Sequence, residues 1–146
     1  MPTAKKTVAF PKGSGRWSTK QASALLRAVE RMFHRRDIDA LVNGFSEDCV
    51  FRFAEQPEQR GRKALREFFE ARLSRQQNYR LKKTLMALDR NRLANAWDGT
   101  WEDAKTGKPM RGRGLEVWTM HDGKIAIWHA AFNVWEEGGE RESSIM

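Results

Sequence analysis

The spacing of apolar residues changes near Tyr79, and this change is what most constrains the fold. Before Tyr79, apolar residues recur about every 3.6 positions, which is the period of a helix buried on one face. After Tyr79 they alternate with polar residues, which is the period of a strand with one buried face. A chain that is helical first and strand-rich afterwards is typical of an α+β fold, in which helices pack on one face of a sheet.

The first half of the chain contains three predicted helices and one strand. Ser18 or Thr19 caps the first helix, and Asp37 caps the second, which ends near residues 46–48. The predicted bounds are about 19–35 and 62–77 for the first and third helices and 49–53 for the strand. Four strands near 80–89, 92–103, 110–121 and 124–136 follow, joined by short turns. The predicted architecture is three N-terminal helices packed on a curved antiparallel sheet.

The length of 146 residues corresponds to one domain. We expect a flexible basic arm over 1–16, the folded domain over 17–137 and a frayed tail over 138–146, because both ends are polar and lack apolar periodicity. No apolar run approaches the 18 or so residues of a membrane span, and no apolar stretch follows the N-terminal lysines as in a secretory signal. Cys49 is the single cysteine, and no metal-ligand spacing is present. We therefore expect a cytoplasmic protein without metal, cofactor or membrane contact.

Basic residues are concentrated at the N-terminus. The chain has a net charge of +8, and residues 1–36 hold nine Lys and Arg but only one acid, Glu30. Arg27, Arg31 and Arg35 recur every four residues, as on the solvated face of an amphipathic helix. Contact with a polyanion is the alternative, but the sequence has no zinc-finger spacing and no ribonucleoprotein pattern of aromatic and basic residues. We therefore expect no nucleic-acid partner.

Several segments resemble the nuclear-transport-factor-2-like superfamily, and within it the SnoaL-like and ketosteroid-isomerase-like branch. They are residues 45–51 (FSEDCVF), 61–68 (GRKALREF) and 116–125 (EVWTMHDGKI), and the resemblance extends over about 19–137. It implies a cone-shaped fold in which a curved sheet and helices enclose a deep apolar pocket, and it implies a homodimer. It does not imply one activity, because this superfamily contains isomerases, hydrolases, cyclases and non-enzymatic domains.

The resemblance also allows the catalytic positions of ketosteroid isomerase to be compared one at a time. The position of its general-base aspartate is occupied by Phe53, and that of its phenol donor by Val29. The position of its second acid is occupied by Glu116. Two of the three groups are therefore missing, which argues against steroid isomerisation by that mechanism.

Strand alternation predicts which side chains line the pocket. Glu116 is the candidate catalytic residue, and burial among tryptophans should favour its neutral form, which could donate a hydrogen bond to a carbonyl. Pairing of Glu116 with a base such as Arg52 or Arg113, or exposure to solvent, remains the alternative. The candidate substrate-binding residues are Asn95, Trp97, Trp118, Trp128, Phe132, Phe53, Val29 and Phe33. Gly99, Gly112 and Gly114 either leave room for a ligand or mark bulges of the sheet.

These features favour a protein that binds a small hydrophobic molecule. An isomerase, hydrolase or cyclase acting on a carbonyl or polyketide-like compound fits this pocket, although the sequence does not decide whether catalysis occurs. The alternative is a non-catalytic interaction domain that dimerises and whose basic arm contacts an acidic partner or nucleic acid. Under either hypothesis we expect a homodimer formed through the outer face of the sheet.

Overall fold

The computed structural model describes residues 8–54 and 56–139. Along the chain, its elements are α1 (Thr19–His34), α2 (Ile38–Asn43), β1 (Phe45–Phe53), β2 (Gln59–Arg60), α3 (Gly61–Arg75), β3 (Gln76–Asp89), β4 (Arg92–Asp103), β5 (Pro109–His121) and β6 (Lys124–Glu136). The strands form one curved sheet in the order β2-β1-β6-β5-β4-β3, and the helices cover its concave face. The predicted α+β class is confirmed.

The two helix starts that the sequence predicts are confirmed. Ser18 caps α1 in a capping box: its hydroxyl accepts a hydrogen bond from the Gln21 amide, and the Gln21 side chain accepts one from the Ser18 amide. The Asp37 carboxylate accepts a hydrogen bond from the Ala40 amide at the start of α2. None of the described helices has the length and apolar character needed to cross a membrane.

The predicted end of the second helix is wrong. The helix ends at Asn43, and the chain enters β1 at Phe45 rather than at Cys49. Gly44 is the C-cap of α2, and its carbonyl accepts a hydrogen bond of 2.9 Å from the Ile125 amide, which ties the end of the helix to β6. The Phe45 ring packs against Trp128 at 5.6 Å between centroids. Packing against the sheet therefore overrides the helical spacing of the local sequence.

The prediction of a wholly antiparallel sheet is also wrong. The neighbouring strands from β3 to β6 are antiparallel, as predicted, but β1 lies parallel to β6. A parallel pair needs a long crossover connection, and here β2, α3 and the other strands supply it. The predicted strand between the second and third helices is present as β1, and the two-residue strand β2 also precedes α3.

The N-terminal segment contacts the domain where it is described. The Gly13 amide donates a hydrogen bond to the Asp122 carboxylate at 2.6 Å, and the Phe10 ring packs on Trp17 at 4.8 Å. The Trp17 amide donates to the Arg90 carbonyl at 2.8 Å. The rest of the predicted arm, residues 1–7, and most of the predicted tail, residues 140–146, lie outside the described part of the chain.

The convex face of the sheet exposes a group of apolar side chains, which we call the outer-face patch. Its members are Ala96, Leu115, Val117, Ile127 and Ala131. Leu115 is 62% exposed, Ile127 44% and Val117 38%, although all three lie in the central strands. Pairing of Leu115 with both Ala96 and Ala131 makes the patch continuous across β4, β5 and β6.

Asp103 joins α3 to the turn between β4 and β5. Its carboxylate accepts hydrogen bonds from Arg75 Nε at 2.7 Å and from the Thr106 hydroxyl at 2.8 Å. These donors, Arg75 first, hold the pKa of Asp103 well below its ordinary value. The stabilisation is therefore present above the ordinary aspartate pKa of about 4 and is lost as the pH falls through the depressed pKa.

We expect Asp103→Asn to lower the melting temperature at neutral pH, because the charged acceptor of three donor groups is lost. The difference from the parent protein should shrink as the pH is lowered from about 4 towards 2, because the parent loses the same interaction by protonation. Thermal unfolding followed by circular dichroism at several pH values measures both effects. Asp89→Asn, at an exposed strand end, is the control. An equal loss at every pH would contradict this account.

Candidate functional site

A cavity lined mainly by aromatic and aliphatic side chains lies between α1, α3 and the concave face of the sheet. We call it the aromatic cavity. Its polar lining groups are Arg72, Tyr79, Lys83 and Glu116, together with the indole nitrogens of its tryptophans. The apolar lining residues are Leu25, Val29, Met32, Phe33, Leu41, Phe45, Phe69, Leu81, Trp97, Trp118, Ile125 and Trp128.

The aromatic cavity is small in this structure. Its volume is about 40 Å³, whereas apolar cavities that hold a benzene ring have about 150 Å³. A ligand the size of one ring can therefore enter only if side chains that line the cavity move.

Glu116 forms an ion pair with Lys83 at the wall of the cavity. Both side chains are almost fully buried, with 1% and 4% of their surfaces exposed. Lys83 Nζ donates to Glu116 Oε1, and the Trp128 indole N–H donates to Glu116 Oε2 at 2.9 Å. Both carboxylate oxygens thus accept hydrogen bonds, so this arrangement does not present Glu116 as the free neutral donor that the sequence suggested. Lys83, rather than Arg52 or Arg113, is its basic partner.

Lys83 is held in place from three elements. Its Nζ also donates to Asn95 Oδ1 on β4 at 3.3 Å and lies 5.0 Å from the centre of the Trp118 ring on β5. Its backbone amide donates to Glu30 Oε2 on α1 at 2.7 Å, and its carbonyl accepts from Arg27. The ammonium group is therefore positioned by the sheet and by α1 together.

Burial changes the acid–base behaviour of Lys83. Removal from water lowers the pKa of its ammonium group below the ordinary value of 10.5, and the neighbouring Glu116 carboxylate opposes this shift. A lysine in such surroundings can give up its proton more readily than one in water. Easier loss of the Lys83 proton is a property that general acid–base chemistry needs.

Arg72 on α3 forms a second polar group at the cavity. Its guanidinium lies over the rings of Phe33, Tyr79 and Trp97 at 5.4, 5.6 and 5.4 Å from their centres. One of its nitrogens donates to the Tyr79 hydroxyl at 2.9 Å, and another donates to Gln76 Oε1 at 3.3 Å. Burial raises the pKa of Tyr79, and Arg72 opposes that rise, so the phenol stays protonated at neutral pH.

The structure brings together six of the nine predicted site residues. Glu116, Val29, Phe33, Trp97, Trp118 and Trp128 all line the aromatic cavity. Asn95 does not line it but is 1% exposed and contacts Lys83 from behind. Phe53 is packed under Phe68 and Trp128, with ring centres at 5.0 and 4.6 Å. Phe132 is 38% exposed, because β6 extends past the edge of the core, and it packs beside Trp97 instead.

The strand glycines make room for aromatic rings rather than for a ligand. A Cβ at Gly114 would lie 2.4 Å from Trp97 Nε1, and one at Gly99 would lie 2.7 Å from the Tyr79 ring. Gly112 is likewise covered by Trp97. The bulge alternative is not supported here, because β4 and β5 stay in register through these positions. The glycines let cavity-lining rings lie flat on the sheet.

Sequence reasoning missed Lys83 and Arg72, although a signal for Lys83 was present. Lys83 has the same strand parity as Tyr79 and Leu81, both of which are buried. A charged residue at a strand position that otherwise faces the core indicates a buried partner of opposite charge. Arg72 lies three residues after Phe69 on the buried side of α3, but a partly exposed arginine there gives no comparable signal.

Metal and thiol chemistry find no support in the described residues. Over 8–54 and 56–139, no group of His, Cys, Asp and Glu side chains is placed to hold a metal ion. Cys49 is buried in the core, and burial raises the pKa of its thiol, which disfavours the nucleophilic thiolate.

Comparison with known proteins agrees with the resemblance seen in the sequence. A family model described as a SnoaL-like domain matches residues 25–128. No curated protein sequence matches the chain. Solved structures that share the fold include the epoxide hydrolase/cyclase-like enzyme SalBIII, with a TM-score of 0.71 and 18% identity over 80% of this chain and 96% of that one.

Two further structures have the same fold. A candidate polyketide cyclase from Xanthomonas campestris has a TM-score of 0.68 and 22% identity, covering 78% of this chain and 91% of its own. A candidate ketosteroid isomerase from Kribbella flavida has a TM-score of 0.62 and 18% identity, covering 86% of this chain and 85% of its own. At these identities the likeness establishes the fold and not the activity.

The Lys83–Glu116 pair should be strongly coupled in stability. We expect Lys83→Met or Glu116→Gln alone to lower the free energy of unfolding by about 3–5 kcal/mol, because each leaves a buried charge without its partner. The double variant should be more stable than the sum of the single losses predicts. Urea unfolding of the four proteins measures the coupling, and Lys82→Met, at the exposed neighbouring position, is the control. Additive losses would show that the two groups do not act as a pair.

Proposed function

The chain belongs to the SnoaL-like domain family, within the nuclear-transport-factor-2-like superfamily, and from this premise we propose that it binds a small apolar carbonyl compound and acts on it. The reaction is of the isomerase, hydrolase or cyclase type, and proton transfer is the step that this site supports. One observation carries the proposal: among the described residues, the aromatic cavity has a single buried acid–base pair, Lys83 and Glu116, surrounded by rings. Such a site combines an apolar binding surface with a group that can move a proton.

Lys83 is suited to polarise the carbonyl group of the ligand. An ammonium group has three N–H donors, and Glu116 and Asn95 accept two of them. The remaining donor is available to a carbonyl oxygen, where it would stabilise the negative charge that develops when a neighbouring C–H bond is broken. The low polarity of the surrounding rings strengthens this interaction.

Glu116 is suited to accept the proton from the carbon next to the carbonyl. The Trp128 indole fixes one carboxylate oxygen, and Lys83 holds the other. Each carboxylate oxygen has a second lone pair, which can take the proton and return it at another carbon while Lys83 and Trp128 stay bonded. Isomerisation and intramolecular cyclisation both follow from an enolate formed in this way. The names of the similar structures, which include polyketide cyclase and isomerase, support this class of substrate.

We also propose that the protein is a homodimer formed through the outer-face patch. Apolar side chains on a central part of a sheet are costly to leave in water. Asp98 and Arg113 lie beside the patch and form an ion pair with each other at 3.9 Å, so their charges already compensate each other at the rim of the patch. Both hypotheses need this patch, but only the catalytic one needs the cavity, so the proton-exchange experiment below separates the alternatives.

The catalytic proposal predicts proton exchange that depends on Glu116. The protein should catalyse incorporation of deuterium next to the carbonyl of phenylacetone or 2-tetralone in D₂O, measured by NMR. Glu116→Gln should slow this exchange by about 100-fold or more, as expected for loss of a general base. Binding of the ketone, followed by quenching of tryptophan fluorescence, should change by less than about threefold, because the rings are retained.

Glu102→Gln is the matched control, since Glu102 lies exposed on β4 and makes the same change of charge. Exchange that is equally fast in Glu116→Gln would assign the base to another group. If a panel of apolar ketones gave neither quenching nor exchange, the catalytic proposal would be wrong and the interaction-domain hypothesis would be favoured.

The dimer proposal predicts a change of mass on substitution of the patch. Light scattering should give twice the 16.9 kDa mass of one chain for the parent protein. Leu115→Glu, at the most exposed large apolar residue of the patch, should give a single-chain mass because a dimer through the patch would bury two like charges. Lys63→Glu, on an exposed part of α3, should remain dimeric. A parent protein of single-chain mass at high concentration would overturn the proposal.

A further inference from the structure

The aromatic cavity carries one positive charge that no described side chain balances. Lys83 is paired with Glu116, which leaves Arg72. Within residues 8–54 and 56–139, no carboxylate forms an ion pair with Arg72; its contacts are the Tyr79 hydroxyl, the Gln76 amide oxygen and aromatic rings. A charged group at an apolar wall is stabilised when a counter-charge joins it.

Hydrogen-bond donors in the cavity also outnumber acceptors. Arg72 has five N–H donors, of which two have the partners just described. The Trp118 indole N–H is buried and has no partner among the described residues. The Tyr79 hydroxyl accepts from Arg72, which leaves its own proton to donate. Each oxygen of the Glu116 carboxylate already accepts one hydrogen bond. A ligand that matches this surface must therefore supply acceptors.

Charge and size together limit the chemical class of the ligand. One unbalanced positive charge matches a monoanion, whereas a phosphate with nearly two negative charges would leave the cavity negative. The planar guanidinium, fixed over three rings, is shaped for the two oxygens of a carboxylate. The small volume of the cavity and its apolar walls restrict the body of the ligand to a compact apolar group.

We propose that the ligand of the aromatic cavity is a small apolar carboxylic acid, whose carboxylate binds Arg72 and Tyr79 while its apolar body lies among the tryptophans. The inference rests on the proposed function, because it assumes that the cavity is the binding site. It adds the class of ligand: an acid that also carries the reacting carbonyl, such as an aromatic keto acid. Arg72 is then a specificity-determining residue, and Lys83 and Glu116 are left free for the reaction.

The test compares acids with their uncharged isosteres on the full chain. Benzoate, phenylacetate and 3-phenylpropanoate are titrated against the three corresponding primary amides, with tryptophan fluorescence and calorimetry as readouts. The best acid should bind at least about tenfold more tightly than its amide, because the amide lacks the charge-assisted contact. This comparison uses the parent protein alone, so it does not depend on the folding of any variant.

Variants then locate the anion contact. Arg72→Met keeps much of the apolar stem and should reduce the preference for the acid to below about threefold. Arg72→Lys keeps the charge but loses the two parallel N–H donors of the guanidinium, so its preference for the acid should be intermediate. Lys63→Gln removes one exposed positive charge from the same helix and should leave the preference unchanged. Circular dichroism verifies that each variant is folded.

The possible results separate this inference from the function on which it rests. If amides and neutral ketones bind as tightly as the acids, the anion inference is wrong and the proposed function stands. If an acid preference persists in Arg72→Met, the contact lies elsewhere and the assignment of Arg72 is wrong. If neither acids, amides nor ketones bind, the cavity is not a binding site and both proposals are overturned.

Discussion

The buried ion pair between Lys83 and Glu116 can exist only if four strands stay in register. Lys83 on β3, Asn95 on β4, Glu116 on β5 and Trp128 on β6 form one polar row across the concave face, with each side chain bonded to the next or to Glu116. A slip of one residue in any strand would move its member to the convex face and leave a charge or donor unpaired in the core. The polar row therefore fixes the register of the four strands, and the same side chains provide the acid–base groups of the cavity.

The polar row and Arg72 contribute to the aromatic cavity in different ways. The polar atoms of the row are largely satisfied by one another, so they remain in place whether or not a ligand is present. Arg72 differs, since it comes from a helix and rests mainly on ring faces. A fixed reactive pair on the sheet and a separate cation on α3 give a small ligand two different points of contact, and two such contacts are enough to orient it.

Local sequence patterns were sufficient for the features that depend on one strand or helix at a time. Alternation put Glu116, Trp118 and Trp97 on the buried side, where the structure has them. It did not find Phe132 to be half-exposed, because alternation gives the face of a sheet and not the distance from its edge. Lys83 was not predicted as a site residue for a different reason. Lysine is so seldom buried that its place among core-facing positions of the strand was not enough to predict its burial.

No local sequence pattern predicts the parallel pairing of β1 with β6. This pairing also affects folding of the chain during its synthesis. β1 leaves the ribosome before β6, the strand that covers its inner edge and that follows all the other described elements. Until β6 is synthesised, an apolar edge with unpaired backbone groups stays open to other chains. The nascent protein therefore exposes this edge for the whole time between the synthesis of β1 and that of β6.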